Sequence, residues 1–333
     1  MLLDSFKLKD KVLKNRIVMP PMVTRMAKDG FVSDFHLVHY GMRSEYGVGM
    51  IMLEATAVVP DGRISTYDLG IWSDEHIEGL SRIASYLKGN NTISCLQLAH
   101  AGRKSDKSLD VVAASAIAFN KDYVTPREIE VEEIKQVVEA FGKAAVRAKK
   151  AGFDAVEVHA AHGYLINSFL SPLTNKRTDE YGGDIKNRVR LLKEVVEKVR
   201  SSFDGILSVR ISASDHAEGG LEVSDYIEIA KLLEELGVDL LDVSSGGVVS
   251  TSYNLYPGYQ VQYSEEIKKH ISIPVTAVGL ITDYHLAKNI IRDQRADLIQ
   301  FGRELLRNPS LVMKFAEKEG KDLDLAYPYA ARK

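Results

Sequence analysis

Apolar runs alternate with stretches of helical periodicity along most of the chain. The apolar runs are Arg16–Met22, Gly49–Ala55, Thr92–His100, 155–160, Ile206–Ile211, Asp239–Val243, Pro274–Val278 and Asp297–Phe301. Each is short enough for a strand, and each is followed by turn residues or a polar group. Between them the spacing predicts helices over about 34–47, 74–88, a run ending near 201, and three more near 263–270, 283–293 and 309–318. Ile134, Val137, Val138, Phe141, Ala145 and Ala148 share one face of a further helix, which Gly152 closes in a left-handed turn. Ser224 is expected to cap another, which Gly237 ends. Ahead of the first strand, residues 6–14 alternate apolar and charged positions around Asp10-Lys11. That predicts a short hairpin closing one end of the core.

Eight apolar strands alternating with helices indicate a parallel sheet covered on its outer face. The expected fold is α/β, a (β/α)8 TIM barrel with a short N-terminal β-hairpin, forming one domain over residues 1–333. No Gly-x-Gly-x-x-Gly follows the first strand, which argues against a dinucleotide-binding sheet. A weak repeat supports the alternation. Gly152-Phe153-Asp154, Gly237-Val238-Asp239 and Arg295-Ala296-Asp297 each close a helix and open a strand.

In such a barrel, chemistry belongs at the C-terminal strand ends. The fourth strand carries the densest group: His159 and His162 at its end, then Tyr164. Two imidazoles and a phenol can grip a carbonyl or anionic oxygen and deliver a proton. The same His-x-x-His spacing also admits a metal, with His100 or Asp215 as third ligand, or a structural pair. Gly279, Gly302 and Arg303 end the last two strands, where barrels commonly hold a phosphate on backbone N–H groups. Ser245, Gly246 and Gly247 end the sixth strand and could add donors. Gln97 and Arg210, on the third and fifth strand ends, suit a cyclic imide edge and a reduced ring's negative charge. The plain alternative is that Arg210 pairs with Glu157 or Asp242.

The charged run Arg177–Gly183 reads as a salt-bridged turn before a helix. Composition narrows the class of protein. At 45% hydrophobic, 27% charged and a formal charge of −3, the chain has an ordinary globular make-up. It offers no charge excess that would call for nucleic acid or an anionic membrane as partner. Cys95 is the single cysteine and lies in an apolar run, so a buried inert thiol is expected. No apolar run is long enough to span a bilayer, and no signal-peptide core is visible. The expected location is cytoplasmic.

Several motifs together resemble the Old Yellow Enzyme family of FMN-dependent ene-reductases, and within it the short bacterial branch typified by YqjM. They are Leu13–Met19, Asp68–His76, Gln97–Lys104, His159–Leu165, Arg177–Gly183 and Gly302–Leu306, in the family's order across almost the whole chain. The resemblance implies FMN across the barrel mouth, reduced by NADPH or NADH in the same site. Pro20, Pro21, Met22, Val23, Ala55, Gln97 and Arg210 would line its ring, and Gly279, Gly302 and Arg303 its phosphate. It implies that His159 and His162 bind the activating oxygen of a small-molecule activated alkene and that Tyr164 protonates it. A homo-oligomer, dimer or tetramer, is implied as well, with Arg332 reaching a neighbouring site. Three positions depart from the family pattern. Val23 stands where the branch usually has a flavin-tuning cysteine. Arg25 replaces a tyrosine and could bind a carboxylate, and Pro20 replaces a serine-like residue. A flavin-free, phosphate-binding barrel acting as an isomerase or lyase, with His159 or His162 as acid–base group, is the alternative.

Overall fold

The computed structural model describes residues 1–323 and 325. Two strands, β1 (Phe6–Leu8) and β2 (Lys11–Leu13), pair antiparallel as the hairpin. β3 (Ile17–Met19), β4 (Met50–Ala57), β5 (Ile93–Ala99), β8 (Ala155–Ala160), β9 (Ile206–Ser212), β10 (Leu240–Ser244), β11 (Val275–Ala277) and β12 (Leu298–Gln300) close into one barrel, each parallel to its neighbours. β6 (Val112–Ala113) and β7 (Arg127–Glu128) form a small separate pair that the sequence pattern did not reveal. At two residues each, they are too short to carry a period.

Alternation along β8 explains the two faces of the barrel wall. Val156 and Val158 pack outward with the helices, while Ala155 packs with the apolar residues at the bottom of the barrel. Leu8 and Leu13 of the hairpin join Val18, Met50, Met52, Ile93, Cys95, Ile206, Leu240 and Leu298 in that bottom layer. The hairpin therefore seals the barrel floor, and Cys95 is a fully buried thiol within it. Above that layer the interior turns polar. Glu157 accepts hydrogen bonds from Gln97 (2.8 Å) and Ser208 (2.9 Å), and Thr276 donates to Asp242 (2.8 Å).

The repeated aspartates have a shared structural role. Each sits at the start of a strand and accepts a main-chain N–H from the neighbouring strand: Asp154 from Ser94 (3.1 Å), Asp239 from Leu207 (2.9 Å) and Asp297 from Val275 (3.0 Å). Such bonds satisfy donors that would otherwise be left bare where a parallel ladder begins. The hairpin exploits two of them, Lys9 meeting Asp239 at 3.1 Å and Lys11 meeting Asp154 at 2.9 Å.

Two local expectations change. The helix Val223–Glu235 starts at Glu222, whose side chain and that of Asp225 form a reciprocal capping box; Ser224 lies inside the first turn. Part of the connection from 163 to 183 is helical, over Leu165–Leu170, because all six of its residues are buried against the barrel. The Arg177 run is a salt-bridged turn, with Arg177 buried, paired to Asp179 and donating to the carbonyl of Ile129 at 2.7 Å.

Candidate active site

Proton positions on His159 can be worked out from its neighbours. Its Nδ1 accepts the Ala161 main-chain N–H at 3.2 Å. A neutral ring then carries its proton on Nε2, which is free to donate. The ring is neutral because burial, then the charges of Arg210 and Lys104, hold its pKa well below the ordinary value.

His162 occupies a left-handed backbone position, φ 59°. Four contacts hold it there. Its N–H donates to Ser212 Oγ (2.9 Å), its ring Nε2 meets Ser244 Oγ (2.7 Å), and its carbonyl accepts Lys104 Nζ (2.7 Å). Gly247 is the fourth: a Cβ there would lie 2.8 Å from His162 Cα. Gly163 completes the fit, since a Cβ on it would lie 2.2 Å from the Gly247 carbonyl oxygen. Both glycines also have positive φ, 74° and 87°. The loops after β8 and β10 thus touch backbone to backbone, and this contact aims the imidazole.

The three side chains converge. His159 lies edge-on to His162 at 5.2 Å between ring centroids and to Tyr164 at 4.8 Å. Burial pushes the Tyr164 phenol well above its ordinary pKa, so it stays protonated. The result is one N–H donor and one O–H donor side by side in a desolvated pocket mouth, with a second imidazole fixed against them.

A cavity of about 330 Å³ adjoins this cluster. It is walled by five consecutive barrel positions: Pro20, Pro21 and Met22 after β3, Arg210 on β9, Ser244 on β10, Gly279 after β11, and Gln300, Gly302 and Arg303 at the end of β12. Arg210 is the link, because it pairs in register with His159 across β8 and β9. It also approaches Asp242 at 3.1 Å, so the ion pair weighed as the plain alternative forms without removing Arg210 from the cavity wall. That contact is poorly aligned: Arg210 Nε and Asp242 Oδ2 are both buried without a hydrogen-bond partner, as is Gln300 Oε1. Two arginines, Arg210 and Arg303, glycines where the backbone is approached, and buried polar atoms without partners suit a phosphorylated, heteroaromatic ligand such as FMN.

The other residues singled out by sequence are placed as follows. Gln97 lies on β5, held to Glu157, and Ala55 lies on β4; neither strand belongs to the five that wall the cavity. Val23 is half-buried after Met22, and Arg25 is exposed with φ 58°. Ser245 donates to Gln260 Oε1 (2.8 Å) and Gly246 donates to the Ser214 carbonyl (2.8 Å). The strand end expected to supply these donors to the cavity instead presents Ser244, because Gly246 and Gly247 are spent on loop packing. Arg332 lies outside the described residues. His100 Nδ1 accepts the Gly102 N–H (3.0 Å), and Asp215 accepts from Ser171 (2.6 Å) and Leu221 (2.8 Å). Among the described residues no three His, Cys, Asp or Glu side chains are grouped to hold a metal ion. Sequence reading did not single out Gln260, Gln300 or Lys104: Gln300 and Lys104 lie at or just past strand ends, whereas Gln260 opens the helix Val261–Lys268 and carried no signal.

A model of the NADH:flavin oxidoreductase / NADH oxidase family matches residues 1–322. The chain belongs to this family. Its FMN-type membership makes it a flavin-dependent oxidoreductase with a nicotinamide coenzyme as reductant. An NADPH dehydrogenase of Bacillus cytotoxicus is 50% identical over 331 residues, covering 99% of this chain and 96% of the relative. Among solved structures, an Old Yellow Enzyme homologue from Zymomonas mobilis is 30% identical with a TM-score of 0.83, covering 100% of this chain and 97% of the other. Morphinone reductase is 29% identical with a TM-score of 0.83, covering 99% and 92%. A 2-naphthoyl-CoA reductase bound to 2-naphthoyl-CoA is 26% identical with a TM-score of 0.90; the match covers 96% of this chain but 52% of that longer one. Among the described residues no helix is long and apolar enough to cross a membrane.

Proposed function

We propose that this family member is an NAD(P)H-driven ene-reductase, reducing C=C bonds activated by a carbonyl, carboxyl or nitro group, and that residues 1–333 act as one FMN-binding barrel domain in the cytoplasm. The observation that carries the reading is the His159–His162–Tyr164 cluster, buried at His159 and half-buried at the other two, joined through Arg210 to the cavity. When bound, FMN supplies the two-electron step, taking hydride from the nicotinamide and passing it to the alkene.

The chain would supply the rest. Pro20, Pro21, Met22, Val23, Ala55 and Gln97 would border the flavin ring, with Arg210 favouring negative charge on it. Gly279, Gly302 and Arg303 would take the phosphate. His159 would donate Nε2–H to the activating oxygen, and His162 would complete that contact. Withdrawing charge in this way makes the β-carbon electrophilic. Tyr164, kept protonated by burial, would deliver its proton to the α-carbon. The NADPH dehydrogenase relative and a morphinone reductase structure in complex with tetrahydroNAD support a nicotinamide reductant. Val23 offers no thiol, so no sulfur tuning of the flavin is expected.

An anaerobic visible spectrum of the purified protein tests the reading. Its flavin band should bleach on adding NADPH or NADH and return on adding an enone. A band that bleaches but is restored only by oxygen would reject alkene reduction.

A further inference from the structure

Lys104 has a position that flavin chemistry does not by itself require. It ends the turn Gly102–Lys104 beyond β5 and reaches the loops after β8 and β10. Its ammonium donates to the carbonyls of His162 (2.7 Å) and Gly247 (2.6 Å). Its other neighbours are aromatic faces: Nζ is 3.7 Å from the ring centroid of Phe119 and 5.6 Å from that of Tyr164.

Arg103, beside it, is fully buried and likewise spends itself on carbonyls, those of Val248 and Ile117. Its Nε has no partner. Arg103 is buried and Lys104 half-buried, both partly desolvated against dipoles and rings; Asp215 acts on Arg103 from a distance, and neither cation has a carboxylate in ion-pair contact among the described residues. Burial, then Arg103, bring the Lys104 ammonium down to about 7. Arg210 and Arg25 add positive charge at Tyr164, while Asp68, which opposes it, is occupied by Ser65 and the Ile64 N–H. A partly desolvated cation without a contacting counter-ion is unfavourable, and an anion entering beside it recovers the lost interaction.

We propose that Lys104 is the anion anchor of this site, and that the preferred acceptors carry a carboxylate next to the alkene that Tyr164 protonates. The proposal rests on the ene-reductase reading. It assigns Lys104 to specificity, holding the carboxylate, while His159 and His162 hold the activating oxygen.

The test uses FMN-loaded enzyme with 4-oxo-2-pentenoate and its methyl ester, compared in wild type, Lys104→Met and Lys104→Arg. The ester is the more activated alkene, so the quantity read is the change in the acid-to-ester ratio of kcat/KM. Any general damage through His162 lowers both substrates and cancels. Lys104→Met should lower the ratio by on the order of tenfold to a hundredfold, chiefly through KM of the acid. Lys104→Arg should keep most of it. An unchanged ratio overturns the proposal. So does a loss confined to flavin reduction by NADPH, which would make Lys104 a coenzyme-phosphate contact. If neither acid nor ester is reduced, the ene-reductase reading fails. Calorimetric binding of the keto acid to oxidised holoenzyme then decides separately, and equal affinity in wild type and Lys104→Met overturns the anchor.

Discussion

Tyr164 and Glu54 illustrate two opposite uses of a buried acid. Tyr164 is kept protonated chiefly by desolvation, which suits the proton-donor role proposed for it. Replacing it by Phe should slow alkene reduction by about 10²–10⁴-fold, the usual worth of a positioned general acid. Flavin bleaching by NADPH, followed by stopped flow, should stay near wild type; equal loss in both half-reactions would remove Tyr164 from the proton-donor role. Glu54 instead holds its neighbours. It accepts the Thr24 N–H (2.7 Å), the Thr24 hydroxyl (2.8 Å) and the Tyr40 hydroxyl (3.0 Å), and so pins the segment between Val23 and Arg25. Burial raises its carboxyl from 4.5 to about 7. Between those values the native state binds more proton than the unfolded chain, so this group makes stability fall as pH rises across the window. Glu54→Gln keeps an acceptor oxygen but cannot titrate. Its melting temperature should therefore decline less than wild type between about pH 5 and 7. Parallel curves for the two proteins would mean that Glu54 does not titrate there. The Tyr164 role was anticipated from its place after the fourth strand, whereas that of Glu54 was not: it sits in an apolar run with nothing in the sequence naming its partners.

At the scale of elements, the hairpin and the β8 loop carry different constraints. The hairpin was readable from its alternation and its Asp-Lys turn, and Leu8 and Leu13 do fill the barrel floor. Leu8→Ala should cost about 2–4 kcal/mol in chemical denaturation, because the rigid barrel above cannot collapse into the gap. A cost under 1 kcal/mol would place the hairpin outside the cooperative unit. In the β8 loop the constraint is backbone contact. Gly163→Ala should impair folding or displace His162, since the new methyl meets the Gly247 carbonyl at 2.2 Å and the residue must hold φ 74°. A crystal structure of this variant with His162 unmoved would contradict that account. Sequence suggested Gly247 as a possible ligand donor; only the packing of two loops distant in sequence revealed it as a spacer.

Across the whole molecule, the proposed cofactor site draws on five consecutive barrel positions, from β9 round to β3. FMN binding should therefore stabilise the barrel as a unit, by about 2.7 kcal/mol at a hundredfold excess over Kd. Melting temperature should rise with added FMN, and rise less in Arg303→Ala; the same rise in both would take Arg303 off the phosphate. The eight strands, their order and the C-terminal position of the chemistry were determined by the sequence itself, because hydrophobic period and right-handed βαβ connection leave a parallel barrel few alternatives. The placement of candidate residues at strand ends was likewise visible, as the positions of His159, His162, Tyr164, Arg210 and Gly279 show. What only the tertiary structure decided is which groups from different strands meet. The His159–Arg210 register, the Asp242 contact, the shared glycine seam and the carbonyls of His162, Gly247 and Val248 that Arg103 and Lys104 meet all depend on contacts between residues far apart in the chain. Periodicity along one segment fixes which face a side chain takes. It holds no information on the neighbour that face will meet, and that neighbour sets each group's charge, tautomer and reach.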